Sequence, residues 1–200
     1  MSISAADVKA LRDRTGAAMM DCKAALAEAE GDADRAVEIL RVKGQASAAK
    51  RGGRGTNEGV VASYIHANDR VGAMVEVQCE TDFVARNEDF KAFAYEVALH
   101  IAATAPQYVS SEEIPEEERE AERRVFEEKA REDGKPDNVV EKIVEGQLAK
   151  WAKEVALLDQ AHVNADKHDS KSIEELRQEM AAKTGENVRI ARFAYFRVGG

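Results

Sequence analysis

Cys79 and its neighbours are the first candidates for chemistry in this chain. Cys79 is followed by Glu80, and a histidine from elsewhere in the sequence, His66 or His100, could act as a base for the thiol. The residues around Cys79 alternate between apolar and polar types, however, which points the thiol toward the inner face of a strand. A buried thiol behaves as a small hydrophobic residue. The pattern therefore favours packing over a small hydrolase that uses Cys79, and we predict that the protein is not an enzyme.

The segment AHVNADKHDS contains side chains that could bind a metal ion. They are His162, Asp166, His168 and Asp169. Imidazoles and carboxylates are common ligands, but their spacing here matches neither a helical ligand pair nor a Cys-x-x-Cys motif. Loops rich in Asp and His are also common without a metal. We therefore predict no metal site and no cofactor.

The segment KRGGRGTNEG combines glycines with the cations Lys50, Arg51 and Arg54. It lacks the GKS or GKT ending and the preceding strand of a phosphate-binding loop. These cations could contact RNA, but a solvated, glycine-rich linker is the more common structure for such a sequence. The whole chain has a formal net charge of −9, which disfavours a nonspecific grip on phosphates. We predict no direct contact with nucleic acid.

Phe83 is a candidate for binding another protein. It follows Asp82 in TDFVARNEDF, where a strand pattern ends and a helix pattern begins. A Phe at such a corner either tucks under the end of the strand or contacts a partner, and the residues alone leave both alternatives open.

Met19 and Met20 are adjacent residues of a predicted helix, so their side chains diverge by about 100°. Met19 aligns with Cys22 and Leu26, which are predicted to face the core. Met20 then points away from that core. An exposed Met is an adaptable contact for a partner protein, although scattered apolar residues are also normal on a surface. Helix geometry thus favours Met20 over Met19 as a contact.

The composition of the 200-residue chain is that of a protein with a substantial core, since 44% of its residues are hydrophobic. The N-terminus lacks a basic stretch followed by an apolar run, and about eighteen consecutive apolar residues occur nowhere. We expect a cytoplasmic protein. Its two cysteines, Cys22 and Cys79, are too few for a disulfide scaffold and are expected to be reduced.

Three short helices are predicted in residues 4–43. Ser4 and Asp32 are suitable N-caps, while Gly16, Gly31 and Gly44 are suitable helix ends. We predict a compact three-helix partner-binding module at 1–44. A mobile linker is predicted at 45–57, because that segment is small, basic and rich in glycine.

The pattern changes to a period of two after Gly59, which predicts two strands joined by the hairpin turn HANDR. Asn87 is a suitable N-cap for the helix that follows. One apolar stripe of this helix comprises Phe90, Phe93, Ala94, Val97, Ile101 and Thr104. A second strip comprises Ala92, Tyr95, Leu99 and Ala103. The helix therefore lies either deep in the core or against another protein.

A helical hairpin is predicted as an insertion at about 112–160. Its first helix is dense in Glu and Arg, and its second carries a stripe of Val140, Val144, Leu148, Trp151, Val155 and Leu158. Ser172 and Glu175 form a capping box for a last helix that ends at Thr184 and Gly185, and NVRIARFAYFRV closes the chain as a strand. The fold class is thus α+β, with a small antiparallel sheet and packed helices in a core at 58–200.

Three long motifs relate the chain to a known family. They are LRDRTGAAMMDCKAAL at 11–26, VEVQCETDFVARNEDF at 75–90 and HIAATAP at 100–106. In sequence and in order, these motifs resemble those of bacterial translation elongation factor Ts. The resemblance implies a guanine nucleotide exchange factor that promotes GDP release from elongation factor Tu, so that GTP can rebind. It also implies an N-terminal module similar to a ubiquitin-associated domain and a helical hairpin inserted in an α+β core.

The chain resembles the short form of this family. TDFVARNEDFKAF runs directly into YEVALHIAATAP, which merges the start of one subdomain with the helix of the second. The short form supplies the missing half by pairing two copies. We therefore predict a homodimer that binds two copies of elongation factor Tu.

The resemblance also assigns partner contacts, which are Thr81, Asp82, Phe83, His100, Met19, Met20 and Lys23. Asp82 and Phe83 match residues that press against the nucleotide-binding domain of elongation factor Tu near its magnesium site. His100 matches a residue that disturbs the phosphate loop from the same side, and it could act from the other protomer. Met19, Met20 and Lys23 match the contact surface of the N-terminal module.

A helical adaptor or scaffold is the alternative class of function. In that case the three-helix module would bind a partner and the hairpin would mediate assembly, without any effect on a nucleotide. Release of GDP from elongation factor Tu distinguishes the two classes.

Overall fold

The computed structural model describes residues 3–199, apart from the side chains of residues 45, 49 and 137. The helices of this range are α1 Ala5–Thr15, α2 Met19–Glu28, α3 Ala33–Arg51, α4 Asp82–Ala85, α5 Glu88–Thr104, α6 Glu116–Glu132, α7 Asp137–Val155, α8 Ala165–His168 and α9 Ile173–Thr184. The strands are β1 Glu58–Ile65, β2 Val71–Cys79 and β3 Arg189–Arg197. The α+β class is confirmed.

The chain forms two compact units. Unit 1 comprises Met1–Val61, Glu76–Ala94 and Glu175–Ile190, and unit 2 comprises Ala62–Val75, Tyr95–Glu174 and Ala191–Gly200. The N-terminal helices therefore belong to the same unit as the residues around Phe83. The predicted division at 1–44, 45–57 and 58–200 stays a prediction.

Helices α1 to α3 pack around a small apolar core. Ser4 caps α1 as predicted: its hydroxyl accepts a hydrogen bond from the Asp7 amide (3.2 Å), and the Asp7 carboxylate accepts one from the Ser4 amide (3.0 Å). Asp32 caps α3 through bonds from the amides of Asp34 and Arg35. The buried residues are Val8, Leu11, Cys22, Ala25, Leu26, Ala29 and Ala36. The likeness to a ubiquitin-associated domain stays a prediction.

The prediction that the third helix ends at Gly44 is wrong. Helix α3 continues to Arg51, so residues 45–51 are helical. The reason is local: QASAAK after Gly44 is rich in alanine, the residue with the highest helix propensity, and Ala48 is buried. Gly44 also lies close to α9, since a Cβ placed there would meet the Ala182 Cβ at 3.3 Å. The glycine serves close packing between two helices of unit 1.

The three strands form one sheet in the order β1-β2-β3. The predicted hairpin turn is confirmed, with the His66 amide donating to the Val71 carbonyl (2.9 Å). The predicted alternation in β2 is also confirmed, because Ala73, Val75, Val77 and Cys79 are buried while Met74 is exposed. The closing strand β3 runs antiparallel to β2.

Helix α5 has the two faces that the sequence predicts. Phe90, Phe93, Ala94, Val97 and Ile101 are buried, whereas Thr104, the last residue of the predicted stripe, is exposed. In the second strip, Ala92, Tyr95 and Ala103 are exposed and Leu99 is partly exposed. Of the two alternatives, burial deep in the core is therefore wrong, and the outer strip of α5 is open to solvent.

Helices α6 and α7 form the predicted hairpin, joined by a turn in which Gly134 has a φ of +68°. Ala130, Val140 and Val144 are buried between them, with Phe126, Ile143 and Leu148 partly buried. None of the helices in the described part of the chain combines the length and apolar character that crossing a bilayer requires. The last helix ends at Thr184 before Gly185, as predicted.

Gly59 is expected to be intolerant of a side chain. A Cβ at this position would lie 2.2 Å from the Val77 carbonyl oxygen, and its φ of +156° is rarely adopted by other residues. Gly59→Ala should therefore lower the free energy of unfolding by about 2 kcal/mol or more, measured by urea denaturation. Gly53 has open space around it, so Gly53→Ala is the matched control and should leave stability within about 0.5 kcal/mol. Equal stabilities of the two variants would contradict this explanation.

Candidate functional site

The corner between β2 and α5 presents Phe83 to solvent. Thr81 caps the short helix α4, accepting a hydrogen bond from the Val84 amide at its hydroxyl (3.4 Å). Phe83, the second residue of α4, has 81% of its surface exposed. Of the two alternatives open from the sequence, a Phe tucked under the strand end is therefore wrong. An aromatic side chain this exposed has no packing role in the described structure.

Asp82 lies beside Phe83 and is only partly exposed. Its carboxylate forms an ion pair with Arg86 one turn later (2.9 Å). The pair is near the surface and contributes little to stability. Its consequence is local: a carboxylate and an exposed aromatic ring stand next to each other, and the carboxylate has a neighbouring cation that it can exchange for another partner.

Glu186 holds the backbone of this corner, a role that sequence reasoning missed. One carboxylate oxygen accepts hydrogen bonds from the amides of Glu80 (2.9 Å) and Thr81 (3.0 Å), and the other accepts the Thr81 hydroxyl (2.5 Å). Two consecutive amides aimed at one carboxylate make a small anion-binding concavity. The signal in the sequence is weak, because Glu186 lies more than a hundred residues from Thr81 and simply follows a helix-ending glycine.

Asn187 extends the same support. Its amide donates to the Glu80 carboxylate (2.6 Å), and its side-chain nitrogen donates to the carbonyl of Arg54 (2.9 Å). Arg54 also reaches the Glu80 carboxylate (3.4 Å). This cation, considered in the sequence for RNA contact, therefore takes part in an internal network of unit 1.

Cys79 has the packing role that its strand position predicts. The side chain is fully buried, and its thiol donates to the Thr81 carbonyl (3.2 Å). Burial, with a further effect of the Glu186 charge, raises the pKa of the thiol to about 11. A nucleophilic cysteine requires a lowered pKa. Burial and the raised pKa both argue against the Cys79 hydrolase alternative.

The N-terminal module exposes the three residues that the resemblance assigns to it. Met20 is 73% exposed, Met19 is 45% exposed, and Lys23 is exposed. The prediction that Met19 faces the core with Cys22 and Leu26 is wrong, because Met19, the first residue of α2, has nearly half of its surface exposed. Both methionines are thus available as contacts.

His100, which the resemblance assigns as a partner contact, lies in the interior of unit 2, and that assignment stays a prediction. Its side chain has no exposed surface in the described structure. The Val163 amide donates to Nδ1 (3.1 Å), so Nδ1 carries no proton and Nε2–H donates to the Gln160 side chain (2.8 Å). Both ring nitrogens are occupied, and burial lowers the pKa of His100 to about 4. The side chain supports the fold of unit 2 as a neutral imidazole.

A second cluster in unit 2 consists of Glu96, His162 and His168, whose donor atoms lie within 4.8 Å of one another. Although burial opposes it, the hydrogen bond and charge of Lys167 hold the pKa of Glu96 below its usual value. The other two candidates from the sequence, Asp166 and Asp169, are exposed and lie outside this group.

The geometry of this cluster is that of a hydrogen-bonded charge group. The Asn164 amide donates to Nδ1 of His162 (3.1 Å), which leaves the proton on Nε2, directed at the Glu96 carbonyl (3.3 Å). A metal ion at that nitrogen would have to displace the proton, and at Glu96 it would have to displace Lys167. The arrangement of these three side chains therefore gives no evidence for a metal site.

Comparison with known proteins decides the family. The family profile described as Elongation factor TS matches residues 34–169. The protein named Elongation factor Ts from Geobacter sulfurreducens is 50% identical over 100% of this chain and 91% of its own length. Those from Syntrophomonas wolfei and Caldanaerobacter subterraneus are each 51% identical over 98% of this chain, covering 91% and 97% of their own lengths.

The chain belongs to the elongation factor Ts family. Members of this family act in the elongation step of protein biosynthesis as nucleotide exchange factors for elongation factor Tu. The adaptor alternative is therefore set aside. Within the family motif TDFVA, the structure brings Thr81, Asp82 and Phe83 together at one exposed corner of unit 1.

The buried histidine gives the stability of the protein a predictable dependence on pH. The pKa of His100 falls from its ordinary value of 6.5 to about 4 in the folded protein. Between these two pH values, His100 is therefore protonated in the unfolded chain and neutral in the folded one. Between pH 6.5 and about pH 4, this should cost about 3 kcal/mol of unfolding free energy. The pKa of His162 is also lowered by burial and adds a loss of the same sign.

Urea denaturation at several pH values tests this expectation. His100→Asn should flatten the loss of stability between pH 6.5 and pH 4, although it lowers stability at pH 7. His66→Gln is the control, since His66 is exposed, and its profile should parallel that of the wild type. Parallel profiles for wild type and His100→Asn would contradict the assignment.

Proposed function

We propose that this chain acts in the cytoplasm as the exchange factor of elongation factor Tu, and that Phe83 is the wedge which drives GDP release. The observation that carries the proposal is the 81% exposure of Phe83 on a corner held by hydrogen bonds. The corner exposes a large apolar side chain to water. Burial of the ring by a partner removes this apolar surface from water, which stabilises the complex.

The mechanism is a difference in affinity between two states of the partner. GDP is held through magnesium, a phosphate loop and contacts to the base, so an exchange factor must bind the nucleotide-free or distorted state more tightly. A Phe that enters a pocket opened only in that state contributes about 2 kcal/mol or more to the difference. Because the coupling is reciprocal, GDP weakens binding of this chain by the same factor. No covalent step is involved.

Asp82 and Thr81 have separate parts in the proposed contact. The Asp82 carboxylate, partly exposed and paired with an exposed surface cation, competes for polar groups around the magnesium ion of the partner. Thr81 contributes by capping α4, which fixes the position of Phe83 in the first turn of that helix.

The N-terminal module supplies a second contact in this proposal. Met20 and Met19 are exposed at the start of α2, and Lys23 lies one turn further along the same helix. Unbranched, polarisable Met side chains adapt to an apolar groove, and an adjacent ammonium group orients the module against acidic surface. This contact provides affinity without acting on the nucleotide.

Substitution of Phe83 tests the wedge. Phe83→Ala should reduce the acceleration of GDP release from elongation factor Tu by about 30-fold, since about 2 kcal/mol of differential binding is lost. The measurement is stopped-flow release of a fluorescent GDP with excess unlabelled GDP. The variant should keep the wild-type melting temperature, because the side chain makes no buried contact.

A matched control removes another exposed apolar side chain. Val125→Ala, on α6, should accelerate release as the wild type does. If Phe83→Ala also exchanges at the full rate, the wedge lies elsewhere. If neither wild type nor variants accelerate release, the exchange proposal itself is refuted.

We further propose that the chain forms a homodimer that binds two copies of elongation factor Tu. Its support is an apolar surface on the outer face of the sheet in unit 2, formed by Ile65, Met74, Phe196 and Val198, each about half exposed or more. Gly72 also lines this surface and lets the Ile65 side chain pack over it, since a Cβ at Gly72 would lie 2.6 Å from the Ile65 Cδ1. The exposed strip of Tyr95, Leu99 and Ala103 on α5 provides further apolar surface. We propose that a second copy of this chain packs against this surface.

Analytical ultracentrifugation tests the dimer. The wild type should sediment with twice the chain mass of 21.9 kDa at micromolar concentration, and Phe196→Glu should sediment as a monomer because it buries an unpaired charge in the interface. Val139→Glu, which places the same charge on an exposed apolar site of α7, is the control and should remain a dimer. A monomeric wild type would refute the proposal.

A further inference from the structure

The position of Phe83 does not come from packing of its own side chain. The ring is exposed, and α4 has only four residues, which is too short for a helix to be stable by itself. Without other restraints, Phe83 would sample many positions, and a partner would have to order it on binding. Ordering a side chain and its loop on binding weakens affinity. Some other group must therefore fix this corner in advance.

Glu186 has the geometry of that group. Its carboxylate accepts three hydrogen bonds from two consecutive residues, from the amides of Glu80 and Thr81 and from the Thr81 hydroxyl, at 2.5 to 3.0 Å. Hydrogen bonds to a charged acceptor are stronger than neutral ones. They fix the direction of the backbone at the residue immediately before α4.

The Thr81 hydroxyl carries the effect of Glu186 into α4. Because its proton is donated to Glu186, its oxygen is oriented to accept the amide of Val84, the residue after Phe83 (3.4 Å). The carboxylate thus sets the rotamer of the N-cap, and the N-cap sets the first turn that carries Phe83. Glutamine has one acceptor oxygen where the carboxylate has two, so it cannot receive all three donors.

We propose that Glu186 is a positioning residue for nucleotide exchange, which acts through Thr81 to hold Phe83 ready for insertion. This rests on the proposed function of Phe83. Glu186 touches neither nucleotide nor magnesium. Glu186 orders the corner around Phe83 before the partner binds. No binding free energy is then spent on ordering it, and the free energy of burying Phe83 is available for displacing GDP.

A double-mutant cycle in GDP release tests the coupling. Glu186→Gln should lower the exchange efficiency by about tenfold, as expected from loss of a charge-assisted hydrogen bond. In a Phe83→Ala background, the same substitution should have no further effect, because the side chain that Glu186 positions is gone. A merely structural role would give additive losses in the cycle. Glu145→Gln, which removes an exposed charge from α7, is the control and should leave exchange unchanged.

A second variant keeps the test decisive if Glu186→Gln fails to fold. Thr81→Val removes the hydroxyl between Glu186 and Val84 while leaving the two amide bonds in place, and it should show the same non-additivity with Phe83→Ala. Circular dichroism establishes folding for each variant. Full exchange activity of folded Glu186→Gln and Thr81→Val, with activity lost in Phe83→Ala, would overturn this inference alone. Full activity of Phe83→Ala would instead overturn the proposed function on which it rests.

Discussion

One carboxylate bound by two backbone amides and a hydroxyl holds the corner where β2 gives way to α4 and α5. Glu186 makes these bonds, and Asn187 beside it ties the same corner to residues 52–54. A chain that ends a strand and starts a helix within a few residues leaves amides without partners. The carboxylate satisfies two of them and the threonine hydroxyl satisfies a third. As a result, the backbone at Phe83 is fixed although its aromatic ring is exposed to solvent.

The elements of the fold follow largely from local sequence. The first two strands were predictable from the alternation after Gly59 and the HANDR turn, and the second helix of the hairpin from its apolar stripe. The first helix of the hairpin and the closing strand were also predicted, although neither has a clear capping residue. Gly44 gave a misleading signal for a physical reason. A glycine in a helical pattern signals an end, but here it allows close approach to α9, and the alanines after it continue the helix. That distinction depends on a neighbour far away in the sequence.

The candidate site was predictable in part. The motif around Phe83 identified the corner, yet the residues alone could not say whether the ring is buried or exposed, since that depends on what packs over it. Glu186 gave only a weak signal, because its partners lie about a hundred residues earlier. His100 is a similar case, because its burial depends on Gln160 and Val163, which lie about 60 residues later and occupy both ring nitrogens. Its assignment as a contact stays a prediction.

If Phe83 is the wedge, the coupling between GDP and this chain on elongation factor Tu must depend on its side chain. Titration calorimetry would measure the affinity of the chain for elongation factor Tu with and without GDP, for the wild type and for Phe83→Ala. We expect that GDP weakens binding of the wild type strongly, and that the factor falls by about 30-fold in Phe83→Ala. An unchanged factor in the variant would contradict it, because Phe83 would then bind both states of the partner equally.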